Sequence, residues 1–262
     1  MKIVALLTGK GGSSLKNKNV LKIYKKKILD YPCLAAKNVP EIDDFFVSSE
    51  NDLILKAASS RGFKPILRPK KYSRKNSKHI DVLLHSIEFL KKNKIIPDIL
   101  VILLANSPTI KSSWIKKSIS ILKKNKKISS VVPVQINNDF HPLRAKRLAG
   151  GKLKPYFNNT KNVSTNRQDL ENNYFLCHNF WTIRTKEIIK NNGYLPWKFM
   201  GKNCYPLVID NSVDIHDQKD LLLARGECLE TDRIEQIARS PMFQSGVSDS
   251  VSDLTATGDL EA

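Results

Sequence analysis

Short apolar runs alternate with amphipathic segments along the chain, and this alternation limits the possible folds more than any other feature. The continuous apolar runs at residues 3–7 and 99–104 are suited to parallel strands that are buried on both faces. Further strands are predicted at residues 44–48, 65–68, 129–134 and 204–209. Apolar residues at helical spacing predict helices at residues 27–38, 52–61, 79–92, 112–124, 185–191 and 219–229. Together they predict an α/β fold with three α/β/α layers, Rossmann-like, on a mainly parallel sheet.

Two regions depart from the alternation. Residues 135–180 are rich in Asn, Pro and charge, so we interpret them as an insertion or arm on the sheet. Residues 227–262 carry eight acidic residues against two arginines, and their last part is rich in Ser, Gly and Asp. We therefore expect one domain over residues 1–226, followed over residues 227–262 by a helix end and a disordered acidic tail.

The net charge of +19 is concentrated in the first 226 residues. Such a surplus attracts polyanions, either nucleic acid or nucleotide substrates. Many lysines stand in runs at predicted helix ends, such as residues 25–27 and 123–127, which favours a solvated basic face over a nucleic-acid groove. The four widely spaced cysteines are typical of free thiols in the cytoplasm, and no apolar run is long enough for a membrane span. We expect a cytoplasmic protein without a membrane or nucleic-acid partner.

The first strand-to-helix junction, residues 8–19, is rich in glycine and lysine. The adjacent Gly11 and Gly12 let the backbone approach an anion closely, and Lys10 and Lys18 can neutralise phosphates. Loop serines can donate hydrogen bonds. The spacing matches neither a Walker A loop nor the dinucleotide-binding fingerprint. The junction is therefore predicted to bind phosphate in a way that neither motif describes.

Lys-Gly-Gly-Ser after the first strand, with Lys-Asn closing the loop, resembles the signature of the acylneuraminate cytidylyltransferase family, the CMP-sialic acid synthetases and their relatives. Similar segments follow in the family's order: Val-Ser-Ser-Glu-Asn-Asp at 47–52, Leu-Arg-Pro at 67–69, Ile-Asp-Val-Leu-Leu-His at 80–85, Ala-Asn-Ser-Pro at 105–108, His-Pro at 141–142, Arg-Gln-Asp-Leu at 167–170 and Val-Asp-Ile-His at 213–216. The resemblance spans about residues 1–226. It implies a nucleotide-diphospho-sugar transferase fold with a dimerisation insertion, and a homodimer.

The resemblance implies that CTP binds at the glycine loop. It gives Lys10 and Lys18 catalytic roles as cations. It gives nucleotide contacts to Gly11, Gly12, Ser13, Asn19, Arg68 and Asn106. Lys10 replaces the family's usual arginine, which keeps the charge but loses the bidentate fork. Leu104 replaces the usual glutamine, so a base other than cytosine is an open alternative.

Asp214 is the predicted metal ligand and a third catalytic residue, because Mg²⁺ prefers hard oxygen ligands and bridges phosphates. Relatives have a second aspartate where this chain has His216, and imidazole is a better ligand for Mn²⁺ than for Mg²⁺. We therefore expect Mg²⁺ or Mn²⁺ at Asp214 and His216. For the sugar, the resemblance implies Arg144, Arg167 and Gln168, with a guanidinium group on the sugar carboxylate.

The implied reaction transfers CMP from CTP to an acidic nine-carbon sugar, a sialic acid-like 2-keto acid, and releases pyrophosphate. One alternative is a related enzyme with another base, or with legionaminic or pseudaminic acid as the sugar. Another is a non-catalytic basic protein of the same fold that binds polyanions.

Overall fold

The computed structural model describes residues 1–12, 15–157 and 163–238. The strands are β1 (Ile3–Thr8), β2 (Lys22–Ile23), β3 (Lys26–Lys27), β4 (Asp44–Ser49), β5 (Lys64–Leu67), β6 (Ile99–Leu104), β7 (Ser130–Ile136), β8 (Lys146–Ala149), β9 (Lys152–Pro155), β10 (Tyr174–Leu176), β11 (Phe180–Arg184) and β12 (Cys204–Val208). The helices are α1 (Asp30–Lys37), α2 (Asp52–Ser59), α3 (His79–Lys92), α4 (Ser112–Lys124), α5 (Thr185–Lys190) and α6 (Gln218–Ala238).

Across these described ranges, eight strands form one sheet in the order β10-β7-β11-β6-β1-β4-β5, with β12 also paired to β7. Strands β5, β4, β1 and β6 are parallel to one another, and β12 is parallel to β7. Strand β11 is antiparallel to both β6 and β7. The pairs β2-β3 and β8-β9 are separate hairpins.

Both faces of the sheet are covered, which confirms the predicted three-layer α/β architecture. All six residues of β1 are buried. Because successive strand residues point to opposite faces, Ala5 and Leu7 pack in one core with α1, α2 and α4, and Val4 and Leu6 pack in the other with α3 and α5. Fully burying one such leucine contributes about 1.5–3 kcal/mol. A continuous apolar run in β1 is the sequence signature of this double burial.

Two predictions from the sequence need correction, one about a strand and one about the start of a helix. The inner strand β11 was not predicted, and its antiparallel pairing interrupts the mainly parallel sheet; β10 also pairs with β7 within the predicted arm of residues 135–180. The first helix begins at Asp30 and not at residue 27, since the hairpin β2-β3 occupies residues 22–27.

The end of the described chain is a single long helix. The predicted domain boundary at residue 226 lies inside α6, whose Leu221, Ala224 and Cys228 pack against Ile23 of the β2-β3 hairpin. The acidic tail beyond residue 238 lies outside the described residues. None of the helices in the described ranges has the length and apolarity to cross a membrane.

Candidate active site

A cavity of about 280 Å³ opens where β1 and β6 end. It is lined by Thr8, Gly9, Lys10, Lys18, Asn19, Arg68, Tyr72, Arg74, Ser77, Lys78, His79, Val82, Leu104 and Asn106. Ligands in open α/β sheets bind at the carboxyl ends of strands, where this cavity lies. Five of its side chains are cationic, so it is suited to an anion. The predicted residues Lys10, Lys18, Asn19, Arg68 and Asn106 all lie on this cavity.

The turn after β1 is fixed from outside by two buried side chains. A guanidinium N–H of Arg68 donates a hydrogen bond to the Gly9 carbonyl. The Nδ2 of Asn19 donates to the Lys10 carbonyl at 3.1 Å. Arg68 and Asn19 are only 5% and 4% exposed. Both were predicted to bind the nucleotide, and the hydrogen bonds that the structure gives them also hold the loop backbone.

Glu50, which the sequence did not single out, holds the next residue of the turn. Its Oε1 accepts the Gly11 amide at 2.7 Å, and its Oε2 accepts Arg68 at 2.8 Å and the Ser73 hydroxyl at 2.5 Å. Burial raises the pKa of Glu50, but the hydrogen bonds from Ser73, Gly11 and Arg68 outweigh burial and keep that pKa below its ordinary value. Burial lowers the pKa of Arg68 in spite of the opposing charge of Glu50.

Gly11 and Gly12 differ in the space around them. A Cβ atom on Gly11 would lie 2.4 Å from Nδ2 of Asn51, whose Oδ1 caps α2 by accepting the Leu53 and Ile54 amides. A Cβ atom on Gly12 would meet nothing within 4 Å. Gly11 therefore has to be glycine because the helix cap approaches it closely.

We expect Gly11→Ala to lower the free energy of unfolding by about 1–3 kcal/mol, because either the Asn51 cap or the loop has to move. Urea unfolding without nucleotide measures the effect. Gly12→Ala is the matched control and should change stability by no more than about 0.5 kcal/mol. Equal losses in the two variants would contradict this account of Gly11.

Lys18 lines the cavity at the end of the glycine loop. Its Nζ donates to the Ile215 carbonyl at 2.5 Å, which ties the end of the glycine loop to the segment before α6. Burial lowers the pKa of Lys18, while the nearby charges of Asp214 and Asp220 oppose that change. The ammonium group is thus partly desolvated, and its field on a bound anion is stronger than that of a surface lysine.

Asp214 lies next to Lys18 and is bonded to three side chains. Asn106 donates to its Oδ1, the Ser107 hydroxyl lies 3.4 Å from the same oxygen, and Nε2 of His216 lies 2.9 Å from Oδ2. Burial raises the pKa of Asp214 to about 6, although His216 and Lys18 oppose the rise. The carboxylate is ionised at neutral pH but easily protonated.

The predicted metal site has a limited set of donors. Within the described ranges, no group of three or more His, Cys, Asp or Glu side chains is placed to hold a metal ion. Asp214 fits an ion that takes one protein carboxylate and completes its shell with phosphate oxygens and water, as Mg²⁺ commonly does. Nε2 of His216 contacts the same carboxylate and the side chain is 69% exposed; an imidazole in this place suits Mn²⁺ better than Mg²⁺.

The predicted sugar residues lie away from this cavity. Arg167 and Gln168 line a second, shallower concavity of about 570 Å³, and Arg144 is exposed on a short turn before β8. Nη1 of Arg167 pairs with both carboxylate oxygens of Asp139 at 3.1 Å. The structure of one chain therefore does not bring these residues to the first cavity. Ser13, another predicted contact, lies outside the described residues.

One wall of the cavity was not predicted. Tyr72, Arg74, Ser77 and Lys78 belong to the segment between β5 and α3. His79 follows them, with its Nε2 at 3.3 Å from the Thr8 hydroxyl and its ring 5.3 Å from that of Trp181. Burial lowers the pKa of His79 to about 4, so the ring is neutral at pH 7. The cations that follow Leu-Arg-Pro are the sequence signal for this wall.

Several solved structures have a fold similar to that of this chain. The fold is similar to that of a CMP:2-keto-3-deoxy-manno-octonic acid synthetase complexed with CTP, at a TM-score of 0.66 and 14% identity over 88% of this chain and 100% of that chain. It is also similar to a 4-diphosphocytidyl-2C-methyl-D-erythritol synthase from Anaerococcus prevotii DSM 20548, at a TM-score of 0.61 and 15% identity over 87% and 96% of the two chains. At this identity the likeness establishes the fold.

A third similar structure is a cytidylyltransferase from Leptospira borgpetersenii serovar Hardjo-bovis (strain JB197), at a TM-score of 0.55 and 14% identity over 93% of this chain and 96% of that chain. No curated protein sequence matches the chain significantly. The family model described as cytidylyltransferase matches residues 10–192, more than half of the chain; the match begins at Lys10, after β1, and includes β6. The chain belongs to the cytidylyltransferase family.

Proposed function

We propose that the protein transfers CMP from CTP to a hydroxyl group of an acidic, sialic acid-like 2-keto sugar of nine carbons and releases pyrophosphate. The observation that carries the proposal is that two lysines line one cavity, while a carboxylate behind its lining, Asp214, accepts a hydrogen bond from the lining residue Asn106. Lys10 and Lys18 present positive charge at the end of β1, and Asp214 lies beside Lys18. Support for cytidine comes from family membership and from the similar synthetase that is complexed with CTP.

In this proposal the triphosphate lies along the glycine loop. Lys10 and Lys18 bind its oxygens and stabilise the charge that moves to the leaving pyrophosphate when the sugar hydroxyl attacks the α-phosphorus. Arg74 and Lys78, which also line the cavity, add positive charge to the same space. Catalysis then consists mainly of holding the reactants in line and neutralising charge.

Asp214 has two possible uses at the reacting centre. A divalent ion, Mg²⁺ or Mn²⁺, would supply charge neutralisation between the phosphates, and Asp214 is the side chain that would hold it, with His216 as a second donor for Mn²⁺. Asp214 can also accept the proton of the sugar hydroxyl, since its pKa of about 6 makes it a stronger base than an ordinary aspartate. Asn106 and Ser107 keep the carboxylate in place.

Pyrophosphate release measured with each of the four nucleoside triphosphates tests the reaction. The acceptor panel includes sialic, legionaminic and pseudaminic acids and an eight-carbon 2-keto acid sugar, each with Mg²⁺ and with Mn²⁺. We expect release with CTP and a nine-carbon acid. Release with another nucleotide or sugar would show that the proposed substrate has to be replaced by that one. No release with any combination, together with salt-sensitive binding to nucleic acid, would instead favour a polyanion-binding protein.

We further propose a homodimer formed through the arm. Its hairpin β8-β9 places Leu148 opposite Leu153, and these two side chains are 74% and 75% exposed. Phe140 and Tyr156 of the same region are 73% and 58% exposed. Such a cluster of exposed apolar side chains is typical of an interface.

We expect Leu148→Glu to convert the dimer to a monomer, because a buried charge at an apolar interface is costly. Analytical ultracentrifugation at several protein concentrations measures the change. Leu222→Glu, at a 57% exposed position on α6, is the control and should leave the mass unchanged. A wild-type protein that is monomeric at all concentrations would rule out the proposed dimer.

A further inference from the structure

A carboxylate beside an anion-binding loop is electrostatically unfavourable and has to be explained. Glu50 follows β4 directly and its side chain is 14% exposed, yet it is not among the residues that line the cavity. A negative charge next to the glycine loop opposes the binding of a triphosphate there. The proposed reaction makes no use of it. We therefore expect the contacts of Glu50 to provide a benefit that offsets this electrostatic repulsion.

Glu50 joins two segments that are distant in sequence. The Gly11 amide binds Oε1, while Arg68 and Ser73 bind Oε2. Gly11 belongs to the glycine loop, and Arg68 and Ser73 belong to the segment between β5 and α3, which also contributes Tyr72, Arg74, Ser77 and Lys78 to the cavity. One carboxylate therefore links the glycine loop to the β5–α3 segment.

The same contacts make Glu50 a poor general base. In spite of burial, hydrogen bonds from Ser73, Gly11 and Arg68 keep the pKa of Glu50 below its ordinary value, whereas burial raises the pKa of Asp214 to about 6. Charge-assisted hydrogen bonds of this kind are the strong ones in proteins. Arg68, which donates to both Glu50 and Gly9, extends the link to the first residue of the turn.

We propose that Glu50 is a positioning residue for the nucleotidyl transfer: it fixes the Gly9–Lys10–Gly11 turn against the Arg68–Ser73 wall, so that Lys10 meets the triphosphate in one orientation. The inference rests on the proposed function. Lys10 lies between two residues whose backbone groups are held by this network, and its own carbonyl is held by Asn19. A loop fixed in advance needs no reorganisation when the nucleotide binds.

The network also changes the role of Arg68. Its charge is compensated by Glu50 at 2.8 Å, and both side chains are largely buried. The attraction for phosphate therefore rests mainly on the other cations of the cavity, Lys10, Lys18, Arg74 and Lys78. Through its hydrogen bond to the Gly9 carbonyl, Arg68 also helps to hold the loop that carries Lys10.

The test compares Glu50→Gln with wild type. An amide nitrogen has to face either Gly11 or the pair Arg68 and Ser73, all of which are donors, so at least one contact is lost. We expect the KM for CTP to rise about tenfold or more and the exchange of the Gly11 amide with solvent, measured by NMR without nucleotide, to become at least about tenfold faster. Ser73→Ala should have a smaller effect that disappears in the Glu50→Gln background.

Asp44 provides the matched control, because it begins the strand that Glu50 follows. Its carboxylate is 17% exposed and pairs with Lys2 at 2.7 Å and Lys64 at 2.9 Å, far from the cavity. Asp44→Asn should leave the KM for CTP within about twofold of wild type. All variants are assayed well below their Tm, so that a loss of stability alone does not alter KM.

The outcomes separate the positioning role of Glu50 from the proposed nucleotidyl transfer. An active Glu50→Gln variant with unchanged KM and unchanged Gly11 exchange would overturn the role of Glu50. A rise in KM that Asp44→Asn reproduces would also overturn it, since the effect would then be general. A wild-type protein that releases no pyrophosphate would overturn the proposed function itself, whatever the amide exchange of Gly11 shows.

Discussion

Lys10→Ala is expected to lower kcat/KM for CTP by about 100-fold to 1,000-fold, the usual cost of removing one group that stabilises charge in the transition state. Lys10 is exposed at the mouth of the cavity, and the hydrogen bonds that fix its loop involve its backbone and its neighbours. The side chain can therefore be removed without loss of loop structure. The free energy of unfolding should stay within about 0.5 kcal/mol of wild type.

Two further variants make this result specific. Lys10→Arg restores the charge and adds a planar fork, so we expect activity at or above that of wild type. Lys117→Ala, which removes an exposed lysine of α4, controls for the general loss of positive charge and should be fully active. Steady-state pyrophosphate release measures all three. If Lys10→Ala and Lys117→Ala were equally active, the glycine loop would not be the phosphate site.

Elements with a clear periodic pattern of apolar residues could be predicted from the sequence. Helices α3 and α4 begin and end where the apolar spacing indicated, and β6 coincides with the most apolar run. Strand β11 could not be predicted in the same way. Its five residues follow a polar arm, and its burial depends on antiparallel pairing with β6 and β7, which is a tertiary property.

The cavity follows from topology more than from any one motif. Thr8 of β1 pairs in register with Leu104 of β6, so the residues after each strand meet at one edge of the sheet. This register brings Lys10 and Asn106 to the same space, as a parallel sheet requires. The sequence order of the motifs was therefore sufficient to place these residues together.

Other parts of the site depend on contacts that sequence patterns do not encode. Glu50 looks unfavourable beside a phosphate loop until its three donors are known. Arg167 looks like a free carboxylate receptor until its pairing with Asp139 is known. In both cases the charge is compensated by a partner distant in sequence, and only the folded chain shows which partner it is.

Asp214→Asn is expected to reduce pyrophosphate release at least about 1,000-fold, because it removes the carboxylate that serves as metal ligand or as proton acceptor in the proposed reaction. The same change should stabilise the protein at neutral pH. Burial raises the pKa of Asp214 from 3.8 to about 6, so folding opposes ionisation of this carboxyl group. Ionised Asp214 lowers the free energy of unfolding. This loss is absent below about pH 4, grows between about pH 4 and pH 6 and is complete at pH 7. Two pKa units correspond to at most about 3 kcal/mol.

Opposite changes in activity and stability distinguish a functional carboxylate from a structural one. Urea unfolding in EDTA should show a more stable Asp214→Asn variant at pH 7 and no difference from wild type at pH 4. Asp210→Asn removes a nearby carboxylate that is 85% exposed, and it should change neither property. If Asp214→Asn lost stability and activity together, Asp214 would be a structural residue held by Asn106. If it stayed active, Asp214 would not belong to the reacting centre.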